Sequence, residues 1–167
     1  FNFRRFFVDR CVRLPHMENL SMERICACAL GHIFGYQPKY SAELVARYGS
    51  AAAVFALDKE ELDGLFGNYS KYKGAINERA FDEAGKELGT LYSRGYQFVA
   101  LSENDFPALL RECPDPPAGL YIRSGSPVSE IFNVRPAVSI VGTRDISPYG
   151  KEWCPKIVGA LAGTRDR

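Results

Sequence analysis

The sequence predicts an α-helical domain followed by a segment of α/β type, and three observations carry that prediction. Apolar residues recur with helical spacing from Ile25 to Tyr92. Beyond Gly95 the pattern switches to short runs of strand composition. Later, the apolar run Ala137-Val138-Ser139-Ile140-Val141 leads through Gly142-Thr143-Arg144 into a helical stretch. A strand, a glycine turn and a helix in that order form the opening of an α/β nucleotide-binding type of fold.

The first helix is expected from a cap at Asn19 or Ser21, with Ile25, Ala29, Leu30, Ile33 and Phe34 on one face and Gly35 ending the run. Ser41 is read as the cap of a second helix containing Leu44, Val45 and Tyr48, which Gly49 closes. A short Ala-rich third helix runs through Val54 and Phe55. Asp58 with Glu61 three residues later makes a capping-box-like pair opening a fourth, with Leu62, Leu65 and Phe66. A longer fifth carries Ile76, Ala80, Phe81, Ala84, Leu88, Leu91 and Tyr92 on one face, closed by Gly95. Tyr96 to Leu101 is then a strand, Ser102 to Asp105 a turn, and Phe106 to Arg111 one or two helical turns. Asp115-Pro116-Pro117 fixes an extended or turning backbone before a strand at Gly119 to Arg123. The last helix holds Trp153, Ile157, Val158 and Leu161, and Trp153 is assigned to packing between helix and sheet.

The 167 residues are 46% hydrophobic and 25% charged, the balance of a globular chain able to bury a core. Net charge is only +1, so nucleic-acid binding would have to come from a local patch. Residues 1–16 carry four Arg against one Asp, 17–100 nine basic against eleven acidic residues, and 101–167 eight of each. Five cysteines without a CxxC pair read as reduced thiols of a cytoplasmic protein. Cys26 and Cys28 point in different directions on a helix, and no metal site is expected. Arg4, Arg5, Asp9 and Arg10 break the apolar opening before a spanning helix or signal core can form, so no membrane partner is expected. Three segments result: a doubtful N-terminal extension at 1–16, a helical domain at 17–95, and the opening of an α/β nucleotide-binding type of fold within 96–167.

At the turn after the apolar run, Gly142 would let backbone N–H groups approach a phosphate at a helix N-terminus. Thr143 and Ser147 offer hydroxyls, Arg144 a planar guanidinium, and Tyr149 a ring for stacking, with Gly150 beside it. Taken alone, the Gly–Arg pair is equally a matter of turn geometry and a surface ion pair. Neither GxGxxG nor GxxxxGK[ST] occurs, which argues against a dinucleotide site or an ATPase P-loop, and no cofactor is expected. His16 and His32 are the only histidines, and His32, beside Ile33 and Phe34, reads as packing or solvated rather than catalytic. No Ser/Cys–His–acid set assembles, so no catalytic residue is assigned.

Three motifs change the balance. Asp105-Phe106-Pro107-Ala108-Leu109-Leu110, then Asp115-Pro116-Pro117 with Leu120-Tyr121, then Val138-Ser139-Ile140-Val141-Gly142-Thr143-Arg144 with Ser147, Tyr149 and Gly150, occur in order at compatible spacing. Over residues about 95–162 the chain resembles the DNA-processing protein A (DprA/Smf) family. Its helical part is similar to that family's N-terminal domain, related to sterile-alpha-motif (SAM) and helix-hairpin-helix modules, with Phe34-Gly35 in the first hairpin. A second hairpin at Leu65-Phe66-Gly67-Asn68-Tyr69-Ser70 lacks paired glycines, and Lys71 and Lys73 read as a solvated loop.

The resemblance implies a helical SAM/helix-hairpin-helix-like domain followed by the truncated start of an extended Rossmann domain. It also implies a non-enzymatic, cytoplasmic protein that binds single-stranded DNA, forms a homodimer when full length, and loads the RecA recombinase during DNA uptake in natural transformation. Carried over residue by residue, the DNA pocket edge is Gly142, Thr143, Arg144, Ser147, Tyr149 and Gly150. The tail at 163–167 does not match the S-G-x-A-x-G-I-D region that the family has next. Two other readings stay open: a Rossmann-type enzyme acting on nucleoside monophosphates, with the glycine–Arg turn holding a ribose phosphate, and a purely structural helical interaction module.

Overall fold

The structure, a computed structural model, describes residues 20–66, 70–132, 138 and 140–163. The expectations for 1–16, the glycine at position 67 of the second hairpin, residues 137 and 139, and residues 164–167 lie outside these. The chain divides into two compact units, residues 1–134 and 135–167.

In the first unit, α1 (Met22–Phe34) is the central element, with Ile25 to Leu30 and Phe34 buried. Six consecutive buried residues exceed one helical face, so the helix is covered on several sides, and Ala27, Cys28 and Ala29 are small enough to allow it. Ser21 caps it as expected, its side chain accepting from the Arg24 N–H, and Gly35 ends it with φ 48°. The second helix, α2 (Pro38–Tyr48), starts earlier than the sequence reading placed it. Ser41 is a correction: it lies inside the helix, buried, and its hydroxyl donates to the Pro38 carbonyl at 2.7 Å. Pro38, with no N–H to leave unsatisfied, takes the first turn instead. Gly49 closes α2 in the left-handed conformation.

The short α3 (Ala51–Phe55) is capped by Ser50 and also by Glu23 of α1, whose two carboxylate oxygens accept from the Ala51 and Ala52 N–H groups at 2.8 Å each. Before α4 (Lys59–Phe66), the capping box forms reciprocally. The Glu61 N–H donates to the Asp58 side chain at 2.8 Å, and the Asp58 N–H to the Glu61 carboxylate at 3.0 Å. The sixteen-residue α5 (Glu78–Ser93) is capped by Asn77 and buries Phe81, Ala84, Gly85 and Leu88.

The strands β1 (Tyr96–Ala100) and β2 (Gly119–Arg123) flank the one-turn α6 (Ala108–Arg111). They pair antiparallel with Phe98 opposite Tyr121 and Ala100 opposite Gly119. A Cβ on Gly119 would sit 2.2 Å from the Phe98 ring and 2.9 Å from the Val99 carbonyl oxygen, so only glycine fits beneath that ring. Phe98, Val99, Ala100 and Phe106 join Ile25, Leu30, Val54 and Leu88 in one hydrophobic cluster. A short α7 (Val128–Ile131) ends the described part of this unit and puts Val128 into the same cluster.

Among the described residues the sheet is therefore one antiparallel pair, and the chain is of mixed α and β type. The expected strand before Gly142 is not formed at its described positions: Val138, Ile140 and Val141 are exposed and unpaired with any described strand. A β-strand needs a neighbour for its backbone groups, and none is supplied among the described residues.

The second unit contains α8 (Pro148–Gly163), which buries none of its residues. The assignment of Trp153 to a packed core is corrected, since it is 43% exposed. No helix among the described residues is long and apolar enough to cross a membrane.

Candidate functional site

The turn that sequence reading singles out lies wholly in the second unit and runs from Gly142 to the first turn of α8. Its conformation follows from local chemistry. The Thr143 hydroxyl oxygen accepts from the Asp145 N–H at 3.3 Å, a side-chain-closed turn that leaves its O–H free to donate outward. Ser147 then opens α8: its hydroxyl accepts from the Gly150 N–H at 3.2 Å and its carbonyl from the Lys151 N–H at 3.0 Å. Pro148 occupies the first helical position, where its fixed φ suits the helix and its missing N–H costs nothing.

Gly150 is there for space, because a Cβ would lie 2.8 Å from Ile146 Cγ1. Gly142 is different. It has no positive φ, and an added Cβ would meet nothing within 4 Å. Its smallness is not required by its own neighbours, which leaves open space beside the backbone for a group from outside.

Gly142, Thr143, Arg144, Ser147 and Tyr149 are all exposed, and Gly150 is half-buried. Among the described residues Arg144 has no hydrogen bond or ion-pair partner, so its planar fork of donors is turned to solvent. Because Ser147 takes the Gly150 amide and Pro148 has none, the start of α8 presents chiefly the Tyr149 N–H. An anion at this turn would thus be held more by the Arg144 and Thr143 side chains than by a fan of backbone amides.

Two residues that sequence reasoning left out extend the turn along α8. Tyr149 and Trp153 stand one helical turn apart with ring centroids 5.9 Å apart and planes tilted by 38°. The Lys156 ammonium lies 4.8 Å from the Trp153 ring centroid and 2.7 Å from the Glu152 carboxylate. The spacing i, i+4, i+7 from Tyr149 to Lys156 was the available signal. It yields two exposed rings and three cations, Arg144, Lys151 and Lys156, on one short stretch, the combination that stacks bases and pairs with phosphates.

The hairpin lysines are otherwise engaged: Lys73 lies 3.9 Å from Asp63, and Lys71 stands 4.9 Å over the Tyr72 ring. His32 is half-exposed and pairs with Glu87 at 2.6 Å.

Residues 97–165 match the family model described as DNA recombination-mediator protein A. A curated protein of Synechocystis sp. (strain ATCC 27184 / PCC 6803 / Kazusa), Protein Smf, is 40% identical to this chain over 65 residues. That stretch is 39% of this chain and 16% of the cyanobacterial protein. No solved structure gives a significant match.

Proposed function

Residues 97–165 belong to the DNA recombination-mediator protein A (DprA/Smf) family, and from that premise we propose that the chain serves a recombination mediator by contacting single-stranded DNA through the Gly142–Gly150 turn. The carrying observation is that the family match covers a solvent-facing turn with an exposed guanidinium, Arg144, without a partner among the described residues, next to the Tyr149–Trp153 ring pair.

In this reading Arg144 and the Thr143 hydroxyl take phosphate oxygens, Gly142 leaves room for the backbone to approach, and Ser147 with Gly150 fixes the start of α8. Tyr149, extended by Trp153, stacks on bases. Such a surface follows a flexible strand and offers no helix shaped to read a major groove, so single strands are preferred and sequence matters little. No bond is made or broken by these groups, which fits a carrier rather than an enzyme. The role we assign the whole protein is to hold single-stranded DNA and deliver it to the RecA recombinase in the cytoplasm during DNA uptake, as a homodimer built on an extended Rossmann domain. The helical part takes the place of the SAM-like domain.

The test is fluorescence anisotropy of the chain with a labelled oligo-dT across a salt series, alongside Arg144→Ala and a duplex competitor. Loss of a charged hydrogen-bonding partner should cost about 1.5–3 kcal/mol, roughly tenfold or more in affinity, and flatten the salt slope by about one unit. Equal affinity and slope for Arg144→Ala, or tighter binding of duplex, would overturn the assignment. RecA loading is read separately, as faster RecA filament formation on protein-coated single strands.

A further inference from the structure

Cys28 and His32 lie four residues apart on α1, so their side chains project one above the other from the same face. Glu87 of α5 and Tyr121 of β2 reach the same point. The His32 Nε2 stands 2.6 Å from one Glu87 carboxylate oxygen, and the Tyr121 hydroxyl donates to the other at 2.9 Å. The same hydroxyl lies 3.2 Å from Cys28 Sγ and 3.4 Å from His32 Nε2. One ligand atom each from Cys28, His32 and Glu87 lie within 4.8 Å of one another.

We propose that Cys28, His32 and Glu87 form a zinc site. A thiolate, an imidazole and a carboxylate are a borderline-soft donor set that suits zinc and disfavours magnesium or calcium, which want oxygen alone. Zinc bonds of about 2.0–2.3 Å at tetrahedral angles place ligand atoms about 3.3–3.6 Å apart. To reach this the His32–Glu87 contact opens and the longer separations close. Both side chains have the freedom to do so, being 58% and 37% exposed. Three protein ligands leave a fourth position, and a cavity of about 200 Å³ lined by Cys28, Gly31, His32, Phe98 and Tyr121 adjoins it with room for water.

Tyr121 is a positioning residue. Burial holds its hydroxyl above the usual phenol range, so it stays protonated and donates to Glu87, fixing which oxygen faces the metal. Burial likewise pushes the Cys28 thiol up to about 12, the Tyr121 hydrogen bond lowering it and the Glu87 charge raising it. Zinc takes the sulfur as thiolate, so binding releases the thiol proton and affinity rises with pH. Because the ligands come from α1 and α5, a bound ion ties the two helices beside β2, and the folded form gains stability with zinc concentration.

The experiment uses the whole chain, stripped with a chelator and titrated with Zn2+ by calorimetry and with Co2+ by absorption. The expected result is one equivalent of metal, a near-ultraviolet thiolate-to-cobalt band with tetrahedral d–d bands, and a Tm raised by Zn2+. His32→Asn and Glu87→Gln, both at exposed side chains, should each weaken binding at least about tenfold, while Cys28→Ser should abolish the thiolate band. Cys113→Ser, Cys154→Ser and the pair Cys11→Ser/His16→Ala should leave the titration unchanged. If Cys28→Ser fails to fold by circular dichroism, the two exposed variants decide. No stoichiometric uptake, uptake indifferent to His32→Asn and Glu87→Gln, or a cobalt spectrum without the thiolate band would overturn the proposal and leave a hydrogen-bonded polar cluster only.

Discussion

Two helices of sixteen residues, α5 and α8, carry the same kind of apolar row and meet opposite fates. The α5 row of Phe81, Ala84 and Leu88 is buried in the first unit's core, whereas Trp153, Ile157, Val158 and Leu161 of α8 are all at least 43% exposed. Amphipathic spacing states that a face can be covered; it does not state what covers it. For α5 the covering surface is α1 with β1, supplied by the same unit. The comparison also separates the two kinds of site: the Cys28, His32 and Glu87 groups sit on mutually braced elements, and the 142–150 turn sits on a helix that contributes nothing to a described core.

The largest expected effect follows directly. Leu88 is fully buried, so Leu88→Ala should lose about 2–5 kcal/mol in urea unfolding, while Ile157→Ala should stay within about 0.5 kcal/mol. A comparable loss at both positions would mean that α8 is as firmly packed as α5. Next come the glycines. Gly119→Ala drives a methyl into the Phe98 ring and the Val99 carbonyl, for an expected loss of about 1–3 kcal/mol. Gly142→Ala meets no neighbour and should leave the unfolding midpoint unchanged while weakening oligo-dT binding. A smaller effect is expected at the α5 cap, where the Asn77 side chain accepts from the Ala80 N–H at 3.0 Å. Asn77→Ala should cost about 1 kcal/mol, measured by the same unfolding curve.

Legibility in the sequence followed the range of the interaction. The Ser21 cap, the Asp58–Glu61 capping box and the Gly35 and Gly49 stops rest on residues within four positions of one another, and local spacing found them; both strands were legible from their composition, although their pairing with each other is long-range. Ser41 misled because a serine can close a helix start or bond back to a carbonyl one turn earlier, and Pro38 was the stronger start signal. The Glu23 carboxylate on the α3 amides and the Gly119 fit beneath Phe98 are tertiary, and no local pattern announces them. The same holds for Glu87, which stands 55 positions from His32. Reading Cys26 with Cys28 gave a poor metal pair because the partners lie four residues along α1 and on another helix. In the 142–150 turn the motif named the six residues of the proposed site, but Trp153 was given to a core and Lys156 was passed over, since exposure could not be read from helical spacing.

The central claim is that single-stranded DNA is met by the 142–150 turn and the aromatic strip behind it, not by the helical unit. Amide hydrogen exchange of the chain with and without saturating oligo-dT tests this most directly. Added protection concentrated in residues 142–156, with the exchange of α1 to α5 unchanged, is the result predicted. Protection confined to the first unit, for example around Lys71 and Lys73, with none at Arg144 or Tyr149, would contradict it.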